Sequence, residues 1–188
     1  VETVLSLALG VSLSAASGFR IFVPPLVMSL LSHTAFYNPP ASMSWLENPL
    51  VTTIFAVATG LEVFAYYIPW LDHALDLIAA PAAFVAGTLM TGAFGVGLDP
   101  ALRWTLAIIA GGGAASGIQL LTSGARLISG TTTAGLGNSV VATTENVAAT
   151  GLSLLALFLP LIALVAVIGL LWFAVSRVLR LRQRIPRT

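Results

Sequence analysis

Apolar stretches of about twenty residues, the length that crosses a lipid bilayer as helix, follow one another along this chain with only short polar turns between them. That succession constrains the fold more than any other feature. Inside hydrocarbon every backbone amide and carbonyl must find its partner within the protein, which leaves a helical bundle or a closed barrel. A barrel strand alternates polar and apolar residues with period two, and no such alternation runs through these segments. Only 8% of the residues are charged, against about a quarter in a soluble domain, and mean hydropathy is +0.98. The expected fold is all-α: a polytopic helical membrane protein with about six transmembrane segments.

The segments run from about Val1 to Ser32, Leu50 to Leu71, Leu77 to Gly97 and Ala101 to Ile128, then through Ser139–Val178 as two helices meeting near Pro160. Between them lie a Pro-rich loop (33–49), an acidic turn with Asp72, His73 and Asp76, the turn GLDP (97–100) and a Gly/Thr loop (129–138). The opening residues resemble a signal peptide ending in small residues. Their n-region carries Glu2 and no basic residue, so a retained span is expected. Five of the eight arginines, from Arg177 to Arg187, crowd the C-terminal end after an apolar span. They read as a cytoplasmic anchor and not as a nucleic-acid patch. With six crossings both termini fall on the cytoplasmic side, although Arg103 near an outer turn and the acidic 72–76 turn inside run against that rule.

The sequence repeats itself weakly. AASGFR (15–20) returns 99 positions later as AASGIQ (114–119), and ATGLEVFAYYIPWL (58–71) returns 91 positions later as ATGLSLLALFLPLI (149–162). The matches divide the chain into two three-span units, 1–97 and 98–188, the second ending in the basic tail 177–188. An odd number of spans inserts the second copy upside down, giving an inverted repeat of the kind many transporters use. Segments one and four are long for a straight crossing and carry Ser17-Gly18 and Ser116-Gly117; the first adds Pro24-Pro25, which disfavours continuous helix. Interrupted first and fourth segments would place unpaired backbone groups near mid-membrane. SAASG and GAASG are equally small-xxx-small patterns that bring unbroken helices close together, so packing and binding both remain open.

Ionisable side chains at depth usually face protein or water and have partners. Arg20, Glu62, Arg126 and Glu145, the last beside Asn146, are such groups, and the economical pairing is Arg20 with Glu62 and Arg126 with Glu145. These pairs would either neutralise one another or offer a proton, cation or anion site. Asp72 and Asp76 read as solvated turn residues. No HExxH, phosphate-binding loop or GxSxG is present, cysteine is absent, and His33 and His73 lack ligand-spaced partners. Neither enzymatic activity nor a cofactor or metal is expected.

The stretch QLLTSGARLISGTTTAGLGNSVVATTEN (119–146), with SGFR (17–20) and Glu62 followed by Ile68-Pro69-Trp70-Leu71-Asp72, resembles an uncharacterised family of small bacterial membrane proteins, domain-of-unknown-function family 4126. The resemblance singles out Arg126, Thr131–Thr133, Asn138 and Glu145. It departs at Tyr66-Tyr67, where an Asp-Lys pair is expected, and at Asn146, where a second acidic residue is expected. It implies an inner-membrane protein and supplies no substrate.

The functional expectation is a small transporter or channel for a small solute or ion, homo-oligomeric in the lipid bilayer. Its site would lie where the repeats meet, formed by Ser17, Gly18, Arg20, Glu62, Ser116, Gly117, Gln119, Arg126, Asn138, Glu145 and Asn146. The alternatives are a scaffold or accessory subunit docking other helices through Gly/Ala-rich faces and, more weakly, lipid handling through the side of the bundle.

Overall fold

The computed structural model describes residues 2–95, 97–133 and 137–183. Within them the chain is helical: α1 (Glu2–Phe19), α2 (Val23–Ser32), a 3-10 helix (Ala41–Glu47), α3 (Pro49–Ala65), α4 (Pro69–Phe94), α5 (Pro100–Leu106), a π-helical stretch (Ala107–Gly112), α6 (Gly113–Thr133), α7 (Asn138–Phe158) and α8 (Pro160–Gln183). Local chemistry sets many of the boundaries. Asn48 and Asp99 cap α3 and α5 by accepting the Leu50 and Ala101 amides at 2.9 Å, and a proline follows each cap, where its missing N–H costs nothing. Pro24 and Pro25 likewise occupy the first turn of α2. Non-helical backbone at Leu159 separates α7 from α8 at the expected Pro160.

Five of the described helical segments are long and apolar enough to cross a bilayer: α1, the Leu77–Phe94 part of α4, the continuous Pro100–Thr133 segment, α7 and α8. The 17-residue α3, bent by 77° from the 3-10 helix, supplies a sixth candidate. This is the architecture of a multi-pass helical membrane protein.

Segment one is broken as expected, at Arg20–Phe22, but the break reverses the chain. Gly10 packs on Thr91 and Phe94 of α4, and Ser14 is hydrogen-bonded to Gly87 (2.6 Å) and Thr91 (2.8 Å) one to two turns earlier, so α1 runs antiparallel to α4. Ser42 of the 3-10 helix bonds the Ala93 carbonyl, which puts the 33–48 connection at the same end of the bundle, here termed the loop face. After the break α2 climbs back antiparallel to α3: Phe22 lies at Glu62, and Ser29 and His33 at Thr52. Thus α1 and α2 form a re-entrant hairpin with both ends on the loop face. The start of α1 and the end of α8 consequently lie on opposite faces of the bundle.

The fourth segment departs from expectation. It is not interrupted at Ser116-Gly117; its helix continues through the π-helical stretch at 107–112, upstream of the notch. Gly111 and Gly112 there press on Thr91 and Phe84 of α4, and the widened turn lets the two backbones approach without ending the ladder. The two AASG notches do meet: a Cβ on Gly18 would overlap the Ala115 carbonyl and Ile118. Yet α1 and α6 both run away from the loop face, whereas an in-plane two-fold axis would reverse one of them, so this match joins parallel neighbours. The α3–α4 and α7–α8 pairs run in opposite senses. Residues 72–76, expected as a turn, lie inside α4; the side chains of Asp72, His73 and Asp76 fall outside the described residues.

The Gly18 contact gives a direct stability test. Gly18→Val forces overpacking against backbone and should destabilise the fold by about 1–3 kcal/mol or more, whereas Gly113→Ala, in open space on the same α6, should raise stability by up to about 1 kcal/mol. Thermal unfolding in detergent measures both.

Candidate functional site

The helix break creates the site. Arg20 donates the last α1 backbone bond, to Ala16 at 3.2 Å, and the amides of Ile21 and Phe22 leave the ladder. An amide stranded at this depth would cost several kcal/mol. Glu62 resolves this from the facing helix: Oε1 accepts the Ile21 amide at 2.9 Å and Oε2 the Phe22 amide at 3.2 Å. The carboxylate also sits at the entry to α2, where the helix dipole favours negative charge.

Beside the break two arginines converge on one acid. Arg126 binds Glu145 in a two-pronged bridge, Nε to Oε1 at 3.0 Å and Nη2 to Oε2. Arg20 Nη2 reaches the same Oε2 at 2.9 Å and the Ala142 carbonyl at 3.2 Å. Both guanidinium carbons lie over the Tyr66 ring, 4.0 Å from its centroid, so the ring's π-electrons attract two cations at once. Arg20 is 0% exposed, and Arg126 and Glu145 only 2–3%. Glu62 is electrostatically coupled to both arginines. The cluster thus brings two positive and two negative side chains together about two helical turns from the opposite end of the bundle, the tail face, where α7 begins.

The cluster is not closed on itself. A guanidinium carries five N–H donors, and in Arg20 both Nε and Nη1 lack a hydrogen-bond partner among the described residues. Next to it, a cavity of about 320 Å³ between α6, α7 and α8 reaches Glu145 and is otherwise lined mainly by apolar residues such as Ile118 and Val141. Among the described residues no three acidic or histidine side chains gather as metal ligands.

The Arg126–Glu145 pairing is as the sequence suggested. The Arg20–Glu62 pairing is not a direct contact: Arg20 takes Glu145 and Glu62 takes the hinge amides. Spacing revealed the charges but not that a helix break would compete for one carboxylate. Ser17 is turned into its own helix, donating to the Leu13 carbonyl at 3.1 Å. Gly18 serves close packing, and Gly117 faces Leu171. Ser116 belongs to the same continuous helix. Gln119 is buried and donates to Ser123 at 3.2 Å. Asn138 packs by Gly130 at the α6–α7 connection, two turns from Glu145. Asn146 has a buried Oδ1 without a hydrogen-bond partner among the described residues. Of the notch residues, Gly18 and Gly117 lie in packing contacts and Ser17 bonds within its own helix, while the charged centre lies lower, at 20, 62, 126 and 145. Tyr66 is the member that the sequence-based set lacks. Its position one turn after Glu62, on the same helical face, was the available signal.

Residues 7–180 match the model of a family described as a domain of unknown function, DUF4126, and the chain belongs to that family. No curated protein and no solved structure matches the chain.

Removing one member of a buried charge network leaves its partners uncompensated. Glu145→Gln strands two arginines and should cost about 3–5 kcal/mol. Glu62→Gln retains an amide oxygen for one hinge N–H and should cost about 1–3 kcal/mol. Denaturant unfolding in detergent ranks the two, and equal losses would refute this division of roles.

Proposed function

We propose that the chain is a small membrane transporter or channel for a small solute or ion, with Arg20 as the point of contact. The observation that carries this reading is a fully buried arginine, placed at a helix break, with two nitrogens that have no hydrogen-bond partner among the described residues. Structure alone gains little from such an arrangement, because a buried ion pair is seldom more stable than apolar residues of the same volume. Intramembrane charges that face protein and face each other typically mark substrate or ion pathways. Broken helices near an intramembrane site are a device of transporters, since their ends offer polarity where lipid offers none. The buried N–H edge of Arg20 favours an anion or a carbonyl-bearing solute, and the neighbouring cavity reaches Glu145, the acid that Arg20 binds. Glu62, holding both hinge amides, would couple hinge geometry to its own charge.

In this reading the tail face is cytoplasmic in a bacterial inner membrane, in line with Arg177, Arg180 and the arginines that follow. Homo-oligomerisation belongs to the same proposal: of the described α8 residues only Ala163 and Val167 are buried, which leaves a broad face for lipid or a second copy. The scaffold reading is weakened by the use of Gly18, Gly87 and Gly111 inside the bundle, where their close approaches are already filled.

Proteoliposome flux of chloride, nitrate, potassium and protons tests the proposal. Arg20→Gln and Glu62→Gln should each lower flux of the transported species at least about tenfold, the effect of losing about 1.4 kcal/mol of binding, while the protein still elutes as a folded species. Protein that is silent for every one of these species, with substitutions that lower only stability, would overturn it in favour of the scaffold.

A further inference from the structure

The two helices α3 and α4 follow each other in sequence yet scarcely touch among the described residues. Described contacts seat α3 on α2 and the 3-10 helix, and α4 on α1, α5, the π-helical stretch and α6. A cleft runs between them. Towards the loop face it is a cavity of about 410 Å³ with Pro25, Met43, Leu89 and Arg103 among its walls. Towards the tail face it is one of about 520 Å³ with Ala58, Leu61, Glu62 and Ala82 among its walls. Ile21 and Phe22 line both, so the two parts adjoin at the α1–α2 hinge. From Ala93 to Leu75 the cleft follows α4 for about 27 Å, close to the ~30 Å of a hydrocarbon core.

Its chemistry is that of a lipid site. The walls are almost wholly apolar, and the oxygens of Glu62 are turned to the hinge amides. Leu61, Ile78 and Leu89 on the rims are 56–67% exposed, so the cleft opens sideways. At its loop-face end stand Trp45 and Trp104, half exposed, where indoles mark a membrane–water interface. In the same wall Arg103 anchors its Nε on the Gly92 carbonyl at 2.5 Å, and its two Nη groups carry no protein hydrogen bond among the described residues. A guanidinium held by one edge at interfacial depth, above an apolar slot, complements a phosphate ester above an acyl chain. We infer that the α3–α4 cleft holds a phospholipid, its phosphate on Arg103 and one acyl chain lying against Phe22 at the hinge. The inference is independent of transport, because it uses neither Arg20 nor Glu145.

Photoreactive-acyl phosphatidylglycerol in phosphatidylcholine nanodiscs tests it, with labelled residues mapped by mass spectrometry. Label should concentrate on Phe22, Leu61 and Ala82 over the lipid-facing Val165 and Ile168 of α8. Ala82→Phe and Ala58→Phe, on opposite walls, should each cut cleft labelling at least about tenfold, roughly what displacing two buried methylenes gives, with α8 labelling unchanged. Arg103→Gln should lower it for phosphatidylglycerol, and excess inorganic phosphate should not compete. Equal labelling of cleft and α8, indifference to both wall substitutions, displacement by free phosphate, or cross-links placing a second copy of the chain in the cleft would each overturn the assignment.

Discussion

Two backbone amides, those of Ile21 and Phe22, leave the helical ladder inside a bundle built for hydrocarbon, and a single carboxylate receives both. That interaction fixes the architecture around it. Because Glu62 satisfies the break, α1 can stop short and α2 can turn back, which converts one long apolar segment into a re-entrant hairpin. Because α1 ends there, Arg20 is held next to Glu145 and Tyr66, and Arg126 arrives from α6 to complete the cluster. Without the cap the hinge would expose unpaired donors to a medium that has no acceptors.

Small residues make the hinge reachable. Gly18 lies directly on the backbone of α6, and Gly87 and Gly111 bring α4 and the fourth segment to near backbone contact. The central helix α1 buries serine and alanine where bulkier side chains would hold its neighbours apart. Close packing and charge burial thus depend on each other: the packing excludes solvent from the arginines, and the shared acid keeps two like charges from forcing the packing apart.

The division of labour between the two carboxylates follows from their surroundings. Glu145 is bound by two guanidiniums and reads as the electrostatic keystone, whereas Glu62 is bound by neutral amides and is coupled to the arginines at longer range. A change of charge at Glu62 acts first on the hinge, and a change at Glu145 acts first on the arginines. The hinge in turn forms the wall that both halves of the α3–α4 cleft share, so the lipid-facing side and the polar cluster meet at Ile21–Phe22.

The order of apolar runs, the proline and Asn/Asp positions at helix starts, and the scarcity of charge determined on their own that this chain is a multi-pass helical bundle, because hydrocarbon admits few ways to satisfy a backbone. They also marked Arg20, Glu62, Arg126 and Glu145, since a charge within an apolar run demands a partner wherever it lands. Only the tertiary structure decided who partners whom. Pairing depends on which helices become neighbours, and a reversal at Arg20–Phe22 looks in sequence much like a kink. The same reversal set the relative direction of the two AASG notches, turned the expected mid-membrane opening into a packed contact, and put the start of α1 and the end of α8 on opposite faces. Those outcomes rest on a three-residue hinge and the side chain 40 positions away that caps it, a long-range hydrogen bond that no local pattern encodes.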